Sequence, residues 1–120
     1  MRYIIPLTEI LLTDIASVGG KNSSLGEMVN KLTKLGIKVP GGFAITADAF
    51  RYFLSENNLT EKIKKTIDEL DAAQLDQLEE TGSLIRNWIR RAEFPADLEQ
   101  EIRDSYHADE AEYGPSYAVA

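Results

Sequence analysis

The sequence contains no cysteine and a single histidine, and none of its apolar runs approaches the ~18 residues that a membrane span needs. The absence of cysteine excludes a disulfide framework, a Cys-x-x-Cys redox site and a cysteine-based zinc site. Basic residues are outnumbered, with 13 Lys and Arg against 20 Asp and Glu and a net charge of −7. A nucleic-acid backbone would therefore be repelled over most of the surface. Glu9 and Asp14 interrupt the N-terminal region too early for a secretion signal. We expect a cytoplasmic protein that binds neither nucleic acid nor membranes.

The 120 residues, 43% of them apolar, suffice for a hydrophobic core. Their patterning predicts an α+β fold that is mostly helical, with about five helices and a few short strands. The clearest helix follows Gly20 and carries a predicted buried stripe at three- and four-residue spacing: Leu25, Met28, Val29, Leu32 and Leu35. Gly36 should end this helix, because glycine reaches the left-handed conformation without a Cβ penalty. Short strands are expected at residues 3–5, 43–45 and 116–120.

Four further helices follow the second predicted strand. Thr46 and Thr60 are placed to cap the first two of them, since a threonine hydroxyl accepts a bond from a first-turn amide. A longer helix begins after Asp71, and the last one follows Phe94-Pro95. The strand predicted at residues 116–120 reaches the last residue without a partner. We therefore interpret residues 1–120 as one segment of a larger domain, incomplete at its C-terminal end.

The most informative motif is Gly19-Gly20-Lys21, directly before the first clear helix. Two glycines allow a tight turn and expose amides at the positive end of the helix dipole, and a lysine beside them adds a mobile charge that suits a phosphate. It is not a P-loop, because Ile15 and Asn22 stand where that pattern needs glycine and Ser or Thr. Taken alone, the motif fits a plain helix start with a solvated lysine better than a ligand site.

The remaining candidates are weaker. Gly41-Gly42 follows Pro40 and fits a turn better than a ligand loop. His107, the sole histidine, is expected to be an exposed surface residue, and the acidic pairs lack the spacing of a calcium loop. The sequence thus predicts no catalytic residue and no metal ligand within the segment.

Two stretches together resemble the start of the phosphoenolpyruvate synthase family, and pyruvate phosphate dikinases share a looser version. They are residues 18–28 (VGGKNSSLGEM) and residues 36–50 (GIKVPGGFAITADAF). The later FPADL at residues 94–98 and SYAV at residues 116–119 fit the same register. The similarity therefore covers essentially the whole chain, and its specificity lies in the combination.

This resemblance implies the N-terminal part of an ATP-grasp-like nucleotide-binding domain, in a parent that makes phosphoenolpyruvate, AMP and phosphate from pyruvate, ATP and water. Lys21 matches the family lysine that contacts the nucleotide phosphates, and Gly19 and Gly20 shape its turn. The expected cofactors are ATP and Mg²⁺, with the metal ligands and the pyruvate site outside this segment. A homo-oligomeric parent is also expected, and the 120-residue chain alone should be inactive.

One departure and two alternatives accompany this interpretation. The family pattern continues after residues 117–119 into an arginine that reaches the triphosphate, whereas this chain has Ala120. His107 does not match the histidine that carries phosphate in the family, which belongs to a segment absent from this chain. The alternatives are a non-catalytic helical interaction module, and the ATP domain of a related phosphotransferase that acts on another acceptor, such as an antibiotic hydroxyl.

Overall fold

The computed structural model describes residues 2–39, 41–71 and 73–114. Within them lie two strands and five helices, which confirms the predicted mostly helical α+β fold: β1 (Ile4–Pro6), α1 (Ile15–Lys34), β2 (Phe43–Ile45), α2 (Ala47–Glu56), α3 (Thr60–Asp68), α4 (Leu75–Arg91) and α5 (Ala96–Tyr113). The strand predicted at residues 116–120 lies outside the described residues. In the described part of the chain, no helix combines the length and the apolar character that crossing a membrane requires.

The chain divides into two compact units. The first comprises Met1–Phe50 with Ala96–Ala120, and the second comprises Arg51–Pro95. In the first unit, β1 and β2 pair antiparallel, with Ile5 opposite Ala44. Pro6 is the last residue of β1 and lies opposite Phe43, which a two-stranded sheet tolerates because every strand is an edge.

Two 3₁₀ turns, Leu7–Glu9 and Leu12–Asp14, connect β1 to α1. Between them, Ile10 is fully buried, at 0% exposure, and packs in the core with Val18 and Ala44. The backbone N–H of Leu7 donates to the carbonyl of Gly42 at 2.9 Å. The segment that leads into α1 is thereby tied both to the sheet and to the core.

Helix α1 buries only part of the predicted apolar stripe. Val29 is buried, and Leu25 and Leu32 are half-buried. The prediction was wrong for Met28 and Leu35, which are 45% and 74% exposed. Ser23 and Gly26, which the stripe did not include, are buried instead. The helix packs through small residues against the 3₁₀ segment, which lets the two backbones approach closely.

The predicted end of α1 and start of α2 are confirmed. Gly36 has φ 79°, and the amides of Gly36 and Ile37 donate to the carbonyls of Thr33 and Leu32, both at 3.0 Å. These are the two hydrogen bonds of a Schellman end. Thr46 caps α2, since its Oγ1 accepts from the amide of Ala49 at 3.2 Å. The same hydroxyl donates to the carbonyl of Arg2 at 2.7 Å, which fixes the N-terminal strand.

In the second unit, Asn57 links the end of α2 to the segment after α4. Its side-chain amide donates to the carbonyl of Glu93 at 2.8 Å and its Oδ1 accepts from the amide of Glu93 at 3.0 Å. The prediction that Thr60 caps α3 was wrong. Leu59 occupies the capping position in a helical conformation. It makes no side-chain capping bond, because leucine has no side-chain acceptor, and its side chain is buried, at 6% exposure.

Candidate functional site

The paired glycines form a bend inside α1. Gly19 has φ 82° and ψ 161°, which breaks the helical conformation between Ile15 and Lys34. L-amino acids rarely adopt this region, so glycine is the residue the bend requires. Gly20 is helical and starts the longer part of α1. A helix that restarts here leaves its first amides without acceptors in a preceding turn, and these amides lie at the positive end of its dipole.

Two side chains hold the bend in place. Ser23 is buried, at 1% exposure, and its Oγ donates to the carbonyl of Gly20 at 2.9 Å. On the other side of the bend, Nδ2 of Asn22 donates to the carbonyl of Val18 at 2.9 Å. The bond from Asn22 spans the break at Gly19 and satisfies the carbonyl of Val18, whereas the bond from Ser23 lies within the first turn of the restarted helix. The turn is therefore fixed by its own sequence before any ligand arrives.

Lys21 lies directly after the bend, in the first turn of the restarted helix, and is exposed. Among the residues that the structure describes, its ammonium group forms no ion pair. Asp14, the carboxylate that precedes α1, is occupied, because its Oδ2 accepts from the amide of Leu11 at 2.8 Å. Lys21 is thus a cation beside the N-terminus of a helix, an arrangement that suits a phosphate or another polyanion.

The second glycine pair has a packing role in this structure. A Cβ on Gly41 would collide with the phenol ring of Tyr113, and a Cβ on Gly42 would lie 3.2 Å from Cδ1 of Leu7. The carbonyl of Gly42 accepts the bond from Leu7 described above. These glycines let two neighbouring side chains pack on the turn, which agrees with the turn interpretation of the sequence.

The end of α5 carries the histidine and several acids. His107 is exposed, and its Nδ1 lies 3.9 Å from Oε2 of Glu110, as expected for a surface residue. Partial burial, and secondarily the charge of Glu112, raises the pKa of Asp109 above its ordinary value. Partial burial followed by Glu112 raises the pKa of Tyr113. Across residues 2–39, 41–71 and 73–114, no group of three or more His, Asp or Glu side chains gathers in a metal-binding arrangement.

The structure thus brings Gly19, Gly20 and Lys21 together at one bend, as the sequence arranges them. Sequence reasoning missed the hydrogen bonds from Asn22 and Ser23 to the carbonyls of Val18 and Gly20, although Ser and Asn within a first turn commonly bond to nearby carbonyls. It also missed the contact between Tyr113 and Gly41, because no local pattern links positions so far apart in the chain.

Comparison with known proteins gives two findings. The family model for the pyruvate phosphate dikinase AMP/ATP-binding domain matches residues 15–120. Phosphoenolpyruvate synthase of Pseudomonas aeruginosa is 44% identical over 108 residues, which cover 90% of this chain and 14% of the relative. The same-named protein of Neisseria meningitidis is 43% identical over 113 residues, or 94% of the chain and 14% of the relative.

A third relative gives the same picture. Phosphoenolpyruvate synthase of Escherichia coli is 43% identical over 95 residues, which are 79% of the chain and 12% of the relative. The chain therefore spans about one seventh of the length of the curated relatives it matches, whose coverage is 12–14%. The matched region contains the whole of α1, and with it the bend at Gly19.

Proposed function

Since the chain belongs to the family of pyruvate phosphate dikinase AMP/ATP-binding domains, we propose that it is the N-terminal part of the nucleotide-binding domain of a phosphoenolpyruvate synthase. The parent enzyme converts pyruvate, ATP and water into phosphoenolpyruvate, AMP and phosphate. The name shared by the three relatives and their identity of 43–44% support this proposal. Because the chain covers only 12–14% of each relative, the activity is proposed for the parent, and the segment alone is inactive.

In this proposal the bend in α1 binds the nucleotide phosphates. Gly19 turns the chain so that the first amides of the restarted helix face the ligand, and Lys21 offsets the charge of the triphosphate. A local cation matters here because the chain as a whole has a net charge of −7 and repels a polyanion elsewhere. The observation that carries the proposal is the φ of 82° at Gly19, directly before an exposed lysine that has no carboxylate partner in the described part of the chain.

The segment binds and orients, and the rest of the parent performs the chemistry. Holding the triphosphate at a fixed position reduces the entropy that the transfer step must otherwise lose. ATP brings Mg²⁺, which neutralises phosphate charge, and we place its protein ligands outside this segment. Pyruvate binds in other parts of the parent, which is homo-oligomeric and cytoplasmic.

A titration of the ¹⁵N-labelled chain with MgATP tests the role of Lys21. Amide NMR signals of residues 19–22 should shift in the wild type, and Lys21→Ala should weaken binding by roughly 10- to 100-fold, since a hydrogen bond to a charged group contributes about 1.5–3 kcal/mol. Lys34→Ala is the matched control, because Lys34 lies in the last turn of the same helix and its removal changes the net charge equally.

The outcomes separate the alternatives. Equal weakening by the two substitutions would indicate a general charge effect and remove Lys21 from the site. If Lys21→Ala binds MgATP with the affinity of the wild type, and its amide signals still shift, Lys21 is also removed from the site. A wild-type chain whose signals do not respond to millimolar MgATP would contradict the nucleotide proposal and favour a helical interaction module.

A further inference from the structure

Gly26 and Ile10 approach each other more closely than any side chain on Gly26 would allow. A Cβ built on Gly26 would lie 2.7 Å from Cβ of Ile10, 2.7 Å from its carbonyl oxygen and 2.9 Å from its Cγ2. Ile10 is fully buried, at 0% exposure. Because one of the three atoms belongs to the backbone, the collision cannot be relieved by rotating a side chain. An alanine at position 26 must push the two segments apart.

This contact closes a loop whose apex is the bend at Gly19. The chain runs from Ile10 through the second 3₁₀ turn and the start of α1, breaks its helical conformation at Gly19 and continues along α1 to Gly26. Val18, directly before the break, packs with Ile10 in the core, and Ser23, after the break, is buried at 1% exposure. Because buried residues lie on both sides of the break, a shift at the contact of Gly26 with Ile10 is transmitted to the bend through packed atoms.

The distance from base to apex is short. Gly26 lies five positions after Lys21, which corresponds to about 7.5 Å along a helix that rises 1.5 Å per residue. The part of α1 after Gly19 moves as a rigid element over this length. A displacement of that part away from Ile10 would therefore move Lys21 and the first amides of the restarted helix relative to Val18, which precedes the break and packs in the core with Ile10.

We propose that Gly26 is a positioning residue for the phosphate site: by carrying no side chain, it seats α1 against Ile10 and so fixes where the Gly19 bend holds Lys21. This proposal rests on the proposed function of the bend. It adds that the affinity for the nucleotide phosphates depends on a residue more than one helical turn away, which does not touch them.

The test compares Gly26→Ala with Gly82→Ala in the 120-residue chain. Gly82 also lies within a helix, but a Cβ there would approach only Nη1 of Arg86, at 3.1 Å, the free end of a flexible side chain. Gly26→Ala should shift the amide signals of residues 19–21 in the ligand-free protein and weaken MgATP binding about tenfold, the loss of one phosphate contact. Gly82→Ala should leave both the signals and the affinity unchanged.

The two readouts separate this proposal from the function on which it rests. If the signals of residues 19–21 keep their wild-type positions in a folded Gly26→Ala chain, the positioning role is wrong, whatever the stability of the variant. If those signals move but neither wild type nor variant responds to MgATP, the proposed function is wrong. The shifts would still show that Gly26 fixes the position of the bend.

A milder variant decides the matter if Gly26→Ala does not fold. Ile10→Leu removes Cγ2, one of the three atoms that face Gly26, and keeps the side-chain volume, a swap that usually costs less than about 1.5 kcal/mol. Ile10→Val is its control, because valine keeps all three of those atoms and still alters the packing of residue 10 against Val18. Ile10→Leu should shift the amide signals of residues 19–21 more than Ile10→Val does. Equal shifts in the two variants, or wild-type signals in Ile10→Leu, would overturn the proposal.

Discussion

Replacing Gly19 and Gly20 by alanine, one at a time, tests whether the bend needs glycine for its backbone conformation or for lack of space for a side chain. Nothing lies within 4 Å of a Cβ built at either Gly19 or Gly20, so a methyl group fits at both positions. The two differ in backbone conformation, because Gly19 has φ 82° and ψ 161° while Gly20 is helical. Any difference between Gly19→Ala and Gly20→Ala therefore reports the strain of the bend.

The expected effects have opposite signs. An alanine forced into the conformation of Gly19 costs about 1–3 kcal/mol. An alanine at Gly20 stabilises the helix by about 0.5–1 kcal/mol, because it reduces the conformational freedom of the unfolded chain. The two variants should thus differ by about 1.5–4 kcal/mol in the free energy of unfolding.

Urea titration followed by the amide NMR signals of α1 measures this difference, since those signals report the first unit, to which the bend belongs. Both variants should keep the wild-type dependence on urea, because the surface exposed on unfolding does not change. If Gly19→Ala is as stable as Gly20→Ala, the positive φ at Gly19 carries no strain for alanine, and the argument that the bend needs glycine is wrong.

Two further predictions concern other parts of the chain. Asn57→Ala should destabilise the second unit by about 1–3 kcal/mol, because it removes the paired hydrogen bonds to Glu93; urea unfolding followed by the fluorescence of Trp88 measures this, and a loss below about 0.5 kcal/mol would refute it. The pKa of Asp109 is raised in the folded chain, so ionised Asp109 destabilises the folded state relative to the unfolded state. Asp109→Asn should therefore raise the free energy of unfolding at pH 7. This gain should shrink as the pH falls through the raised pKa toward about 4, where the wild type becomes protonated as well, and a gain that stays constant between pH 7 and pH 4 would contradict the assignment.

Local chemistry explains which parts of the fold could be predicted from the sequence. The end of α1 at Gly36 and the cap at Thr46 each depend on one residue type and its near neighbours, and both are confirmed. Thr60 shows the limit of such reasoning, because it is the first helical residue of α3 and the buried Leu59 occupies the capping position instead. A threonine before a helical pattern identifies the start of a helix to within one residue and no better.

The buried face of α1 could be predicted only in part, because the sequence does not show what the helix packs against. Spacing favours the larger apolar residues, and Met28 and Leu35 are exposed nonetheless. The partner is the irregular segment around Ile10, which has no period of its own, and it approaches so closely at Gly26 that no side chain fits there. Close backbone packing selects small residues, whereas hydrophobic periodicity weights large ones.

The same packing bears on how a short segment can contribute to phosphate binding. A flexible glycine pair would have to be ordered at the moment of binding, and fixing the backbone of each residue costs about 1–2 kcal/mol. Here Asn22 already bonds across the bend to Val18, and Ser23 bonds to Gly20 directly after it. The contact of Gly26 with Ile10 closes the loop beneath the bend. Most of that ordering is completed when the chain folds, so the charge of Lys21 acts from a fixed position. Phosphate binding should therefore depend on the contact of Gly26 with Ile10 as much as on the charge of Lys21. A substitution that keeps Lys21 but breaks this contact should weaken binding.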